Sequence, residues 1–118
     1  MDVVGWDGAP LLALLSVIAG HARGQSIALS RGQVMIGRDA SCALPIPDER
    51  ISRRHLQVTY DPSLDRHMAI DVGSSNGVTI NGQRLVRGVA RVLADRDEIE
   101  IGSTKLCYSA NSELPGRV

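Results

Sequence analysis

No stretch of this sequence sustains the 3.6-residue apolar spacing of an amphipathic helix. Short apolar runs recur instead, each closed by glycine, proline or asparagine. Strands are expected over 12–19, 26–29, 33–37, 55–60, 68–71, 78–80, 90–93, 98–101 and 104–108. Between them stand Gly24, Gly32, Pro45, Pro47, Asp61-Pro62, Gly73, Asn76-Gly77, Asn81-Gly82 and Gly102. In Leu56-Gln57-Val58-Thr59-Tyr60 every second residue is apolar, the period of a strand with one face in a core. Asn81-Gly82 is the sharpest hairpin signal, since both residues tolerate the positive φ of a type I′ turn. Regular short strands punctuated in this way predict an all-β chain, a sandwich or a barrel.

A length of 118 residues suits one domain. With no Phe, one Trp and two Tyr, the core must be built from Leu, Val, Ile and Ala. The apolar run Leu11–Ile18 is too short to span a bilayer. Asp2 and Asp7 precede it without a basic side chain, unlike the start of a signal peptide. It reads as a buried strand, and no membrane partner is expected. Thirteen basic and thirteen acidic residues leave no excess charge with which to displace counterions from nucleic acid. Twelve of the thirteen basic residues are Arg, a bias that codon usage in a GC-rich genome can produce; a functional reading is kept for where they cluster. Cys42 and Cys107 lack CxxC spacing and read as reduced, partly buried thiols of a cytoplasmic protein, with a single disulfide as the lesser alternative. No His, Cys or Asp spacing suggests a metal site, and no cofactor is expected.

Three clusters stand out. Gly37-Arg38 follows the apolar Val34-Met35-Ile36; Arg50-Ile51-Ser52-Arg53-Arg54-His55 leads into a strand; Asp71-Val72-Gly73-Ser74-Ser75-Asn76-Gly77 precedes Val78-Thr79-Ile80-Asn81-Gly82. Taken singly, these are a turn with a solvated charge, an exposed basic loop and a tight turn.

Their order is more specific. Gly-Arg, then Ser-x-x-His, then Ser-x-Asn-Gly, then Asn-Gly, in a β-rich chain of this length, closely resembles the forkhead-associated (FHA) family, over roughly Leu11 to Tyr108. The resemblance implies a β-sandwich of two mainly antiparallel sheets, with loops at one end that bind phosphothreonine peptides. The domain would then occupy residues 11–108, with flexible segments over 1–10 and 109–118. Carried over by motif position, Arg38 grips the phosphate, Ser52 donates its hydroxyl to it, and Arg53 adds a loop contact. Ser75 contributes a second hydroxyl and Asn76 holds the peptide main chain. Gly37, His55 and Gly77 serve the architecture, and Arg50 and Arg54 lie where peptide positions after the phosphothreonine could be read. The family often has Thr where this chain has Ser75 and Val78; serine keeps the hydroxyl. Residue chemistry agrees independently. A phosphate with about −1.5 to −2 charges and three acceptor oxygens calls for a forked cation and small neutral donors.

Ser52 and His55 could suggest a nucleophile and its base, but no third group completes a triad, and His55 is expected to brace its loop. Asp71 is expected to accept amides of the following turn. His21 and His67 are expected at the surface. There is no GxxxxGK[ST] phosphate cradle, and Gly102-Ser103-Thr104-Lys105 has the wrong order to replace one. The chain is thus expected to be a monomeric adaptor and not an enzyme, with no catalytic residues. Its expected partner is a phosphothreonine protein, a Ser/Thr kinase or a kinase substrate. The rival is a phosphate-independent assembly module on the same fold.

Overall fold

A computed structural model of the chain describes residues 12–110. Eleven strands form two sheets. In chain order they are β1 (Ala13–Ala19), β2 (Ser26–Leu29), β3 (Gln33–Gly37), β4 (Leu44–Pro45), β5 (Leu56–Asp61), β6 (Arg66–Asp71), β7 (Val78–Ile80), β8 (Gln83–Arg84), β9 (Arg91–Val92), β10 (Glu98–Ile101) and β11 (Thr104–Ala110). One sheet runs β2-β1-β11-β10-β7-β8 and the other β4-β3-β5-β6-β9. Every pairing is antiparallel except β3 with β4. The expected sandwich of two mainly antiparallel sheets is what forms.

Alternation places the core. In β1, Ala13, Leu15 and Val17 are buried while Leu14 and Ile18 face outward, so the apolar run is one wall of a sandwich. Ile36, Leu56 and Val58 of one sheet share a buried cluster with Ile80, Ile99, Ile101 and Leu106 of the other. Each such side chain contributes roughly 1.5–3 kcal/mol on burial. The aliphatic composition therefore suffices, with Tyr108 the one buried aromatic among the described residues.

Asn81 (φ 51°) and Gly82 (φ 81°) form the two-residue turn between β7 and β8, as their chemistry predicts. Strands β4 and β8 were not legible: each is two residues long, and β8 is polar and exposed. Near the C-terminus the expectation is corrected. Ser109 and Ala110, placed in a flexible tail, still pair with Leu14 and Ala13 in β11. The expected flexible residues 1–10 and 111–118 lie outside the described residues.

His67 is also corrected. It is buried, not superficial, and lies between Tyr108 Oη (2.8 Å from Nδ1) and the Ser30 carbonyl (2.9 Å from Nε2). A carbonyl only accepts, so Nε2 carries the proton and Nδ1 accepts from the Tyr108 hydroxyl. Burial pushes the His67 pKa down and the Tyr108 phenol up to about 12, so both groups are neutral in the fold. An alternating pattern could have found this residue, because His67 falls on the inward face of β6 with Ala69 and Asp71.

Candidate functional site: the loops at the β3–β4, β4–β5 and β6–β7 end

Three loops meet at the end of the sandwich opposite His67, and backbone hydrogen bonds interlock two of them. Arg38 N–H donates to the Ser52 carbonyl (3.0 Å) and Asp39 N–H to the Arg53 carbonyl (3.2 Å). This crossing needs Gly37. A Cβ there would lie 2.1 Å from the Arg53 carbonyl oxygen, a backbone atom with little room to retreat. Cys42, buried and unpaired, donates its Sγ–H to that carbonyl at 3.2 Å. Burial pushes its thiol pKa up, which makes it a structural group and a poor nucleophile.

His55 joins the second loop to the third. Its Nδ1 accepts from the Ser52 amide (3.0 Å), so Nε2 carries the proton and donates to the Gly77 carbonyl (2.8 Å). The ring is fully buried. Nδ1 bonds the backbone of Ser52, not its hydroxyl, which leaves no nucleophile–base pair.

The third loop is a tight turn over 71–77. Asp71, buried, accepts the amides of Gly73 (3.0 Å) and Ser74 (2.8 Å). Burial pushes its pKa up, but the Ser74 amide, the Ser74 hydroxyl and the Gly73 amide outweigh burial and hold it below the usual range. Ser74 Oγ accepts the Gly77 amide (2.9 Å). Gly77 has φ 84°, and a Cβ would come within 2.4 Å of the Arg84 guanidinium.

On this frame the expected site residues come together. Arg38 is exposed, with Nε tied to the Ile51 carbonyl at 3.0 Å. That single bond sets its direction, and its two terminal nitrogens have no hydrogen-bond partner among the described residues. Ser52 Oγ accepts the Ser75 amide at 3.0 Å, so its own proton is free to be donated elsewhere. Ser75 and Asn76 are exposed, and Asn76 Nδ2 donates to the Arg50 carbonyl (2.8 Å), fixing the side-chain amide across two loops. Arg50, Arg53 and Arg54 are exposed. Arg53 meets the first loop through its carbonyl, and the Arg53 and Arg54 cations both favour the ionised form of Asp39.

Several positioning residues were not foreseen. Buried Asp48 accepts the amides of Arg50 (2.9 Å) and Ser103 (2.8 Å) and the Thr104 hydroxyl (3.3 Å), fastening the Arg50 loop to the β10–β11 turn. Arg87 donates to the Ser74 carbonyl (2.7 Å), and Arg84 lies against Gly77 and reaches the Asn76 carbonyl at 3.5 Å. Thus three carbonyls of the 74–77 turn each meet a side-chain donor, from His55, Arg84 or Arg87. The distance in sequence hides these partners; only the run Asp48-Glu49-Arg50 hinted at a turn-forming acid. Conversely, the Asn81-Gly82 motif sits at the far end, where Asn81 bonds Asp97 and the Glu98 amide, so it supports the fold and not this site.

Beside Arg50 and Asn76 an open hollow of about 320 Å³ is floored by Thr79 and Glu100 and edged by Gly77 and Gly102. Among the described residues no group of His, Cys, Asp and Glu could hold a metal ion, and no helix is long and apolar enough to cross a membrane.

Comparison with known proteins bears on the same residues. The FHA domain family model matches residues 34–102. The oxoglutarate dehydrogenase inhibitor of Corynebacterium jeikeium is 31% identical over 110 residues, covering 92% of this chain and 73% of that protein. The FHA domain-containing protein FhaA of Mycobacterium tuberculosis is 31% identical over 83 residues, 70% of this chain and 15% of that protein. The human angiogenic factor with G patch and FHA domains 1 is 33% identical over 79 residues, 62% of this chain and 11% of that protein. The chain thus spans only a small part of several of its relatives. Among solved structures, an FHA domain studied for phosphothreonine-dependent interactions superposes with TM-score 0.74 at 27% identity, covering 85% of this chain and 97% of that one. The MEK1 FHA domain in complex with a HOP1 phosphothreonine peptide superposes with TM-score 0.72 at 28% identity, covering 84% and 96%.

Proposed function

The chain belongs to the FHA domain family, and on that premise we propose that it binds phosphothreonine peptides as an adaptor in Ser/Thr-kinase signalling. FHA domains are binding modules, and this reading asks no bond-making step of the chain; it binds and releases. Its partner would be a kinase or a kinase substrate met in the cytoplasm, with the module acting as a monomer.

The observation that carries the reading is the set of unspent donors on one rim. Arg38 has one nitrogen committed to the Ile51 carbonyl and presents the rest of its fork. Ser52 has its oxygen committed to the Ser75 amide and its proton uncommitted. A dianionic phosphate seated there would take the Arg38 fork, the Ser52 and Ser75 hydroxyls and the Arg53 cation. Each charge-assisted bond contributes about 1.5–3 kcal/mol, so a few suffice for micromolar affinity. Asn76, already steadied by the Arg50 carbonyl, would hold the peptide backbone. Arg50 and Arg54 flank it as specificity contacts, while Gly37, His55 and Gly77 keep the loops in register.

The test is calorimetric titration of a phosphothreonine peptide, taken from an oriented library, against its unphosphorylated twin. Arg38→Ala should weaken phosphopeptide binding at least about 100-fold, the loss expected for two charge-assisted bonds, and Arg38→Lys should recover only part. The melting temperature should fall only slightly, through loss of the bond to Ile51. Equal binding with and without phosphate would sink the reading in favour of a phosphate-independent assembly module.

A further inference from the structure

The whole chain is electrically balanced, but the loop segments of the binding end are not. Segments 38–55 and 72–90, which build its loops, carry six basic residues, Arg38, Arg50, Arg53, Arg54, Arg84 and Arg87, against three acidic ones. The remainder of the sequence carries seven basic and ten acidic residues. Two of those acids stand at the same end, Asp71 buried among turn amides and Glu100 in the hollow beside Arg50. The three acids of the loop segments offset the rim only in part, with Asp39 near enough to Arg53 and Arg54 to interact with both charges. Asp48 is buried and bonded to the Arg50 and Ser103 amides, and Asp39 is turned to the Ser41 hydroxyl. Only Glu49 is exposed without a recorded bond. Among the described residues, none of the six arginines lies within ion-pairing distance of a carboxylate.

One phosphothreonine cannot use this field. Arg38 and Arg53 face the phosphate position in the reading above, and Arg84 and Arg87 are held behind the 74–77 turn by the Asn76 and Ser74 carbonyls. Arg50 and Arg54 are left exposed, with no side-chain hydrogen bond or close ion pair among the described residues, although Arg54 interacts by charge with Asp39. Such cations on a rim are stable in water; their arrangement favours a ligand that brings negative charge beyond the phosphate. We infer that the preferred partner is a phosphothreonine flanked by acidic side chains, recognised by the arginines around the phosphate and drawn in by the field of all six. This rests on the phosphothreonine reading and narrows its ligand class.

Exposed pairs contribute modestly, roughly a factor of two each, so three or four added carboxylates should tighten binding about tenfold. The experiment compares three synthetic peptides with one phosphothreonine core and acidic, neutral (Gln) or basic flanks, each with its unphosphorylated twin, titrated into the full chain. At about 50 mM salt the expected order is acidic, neutral, basic, and the acidic advantage should shrink severalfold at about 500 mM, where screening is strong. In Arg50→Gln/Arg54→Gln the ratio of acidic to neutral affinity should fall towards one. A loss of phosphate contact alone would lower both affinities equally and preserve the ratio. Phosphate-dependent binding with equal affinity for acidic and neutral flanks overturns this inference and leaves the phosphothreonine reading standing. Acidic peptides that bind equally with and without phosphate overturn that reading itself.

Discussion

His55 and His67 occupy opposite ends of the sandwich and are wired alike. Each ring is buried, accepts through Nδ1 and donates from Nε2–H to a backbone carbonyl, of Gly77 in one case and Ser30 in the other. What differs is the donor to Nδ1. At the far end it is the Tyr108 hydroxyl, from β11 in the opposite sheet, so His67 closes the sandwich and leaves nothing over. At the loop end it is the amide of Ser52, whose hydroxyl is thereby aimed at the rim with its proton free. The same bonding pattern therefore makes a seal at one end and a frame for a binding surface at the other.

The comparison breaks most readily at Gly37. Gly37→Ala drives a methyl into the Arg53 carbonyl, and the β3–β4 and β4–β5 loops must part. A cost of about 3 kcal/mol, the upper end for overpacking, should lower the melting temperature by roughly 15 °C and abolish phosphopeptide binding. A variant that melts and binds like the parent would mean that the loops do not cross as described.

The two histidines then separate stability from binding. His55→Ala and His67→Ala each strand one buried and one part-buried hydrogen-bond partner, at a cost of about 2 kcal/mol. Melting temperatures should drop by similar amounts, on the order of 10 °C. Affinity, measured well below both transitions, should fall tenfold or more for His55→Ala, whose loss frees the loop bearing Ser52. For His67→Ala it should stay within about twofold, since sites so far apart act independently. Equal affinity losses would show that the two ends are coupled through the sheets.

The smallest effect is on pH. Burial lowers the folded pKa of His67, so the unfolded chain takes up its proton first. Its contribution is therefore complete above the unfolded value, about 6.5, and is lost as pH falls from there through the folded value. The slope is at most about 1.4 kcal/mol per pH unit. Asp48 and Asp71 have lowered values, and their contributions persist until pH falls below about 4. Melting curves from pH 7 to 5 should thus decline less steeply in His67→Gln than in the parent, and parallel curves would contradict the burial account.

The sequence by itself determined the all-β class, nine of the eleven strands to within two residues at either end, the Asn81-Gly82 turn and the loop cluster. These rest on local chemistry: alternation of apolar residues, the φ freedom of Gly and Asn, and motif order. It also singled out Arg38, Ser52, Ser75 and Asn76, though only through their resemblance to a family motif, because exposed polar residues carry no period of their own. Tertiary structure decided what local pattern cannot carry. Gly37 is required by the approach of Arg53, sixteen residues on, and not by its own φ. His67 reads as a polar residue at a strand start until Tyr108, forty-one residues later, supplies its partner. Asp48, Arg84 and Arg87 act on carbonyls and amides brought to them by chain crossings. Hydrogen bonds to backbone atoms depend on position and not on side-chain identity, so a sequence shows the donor and leaves the acceptor invisible until the chain is folded.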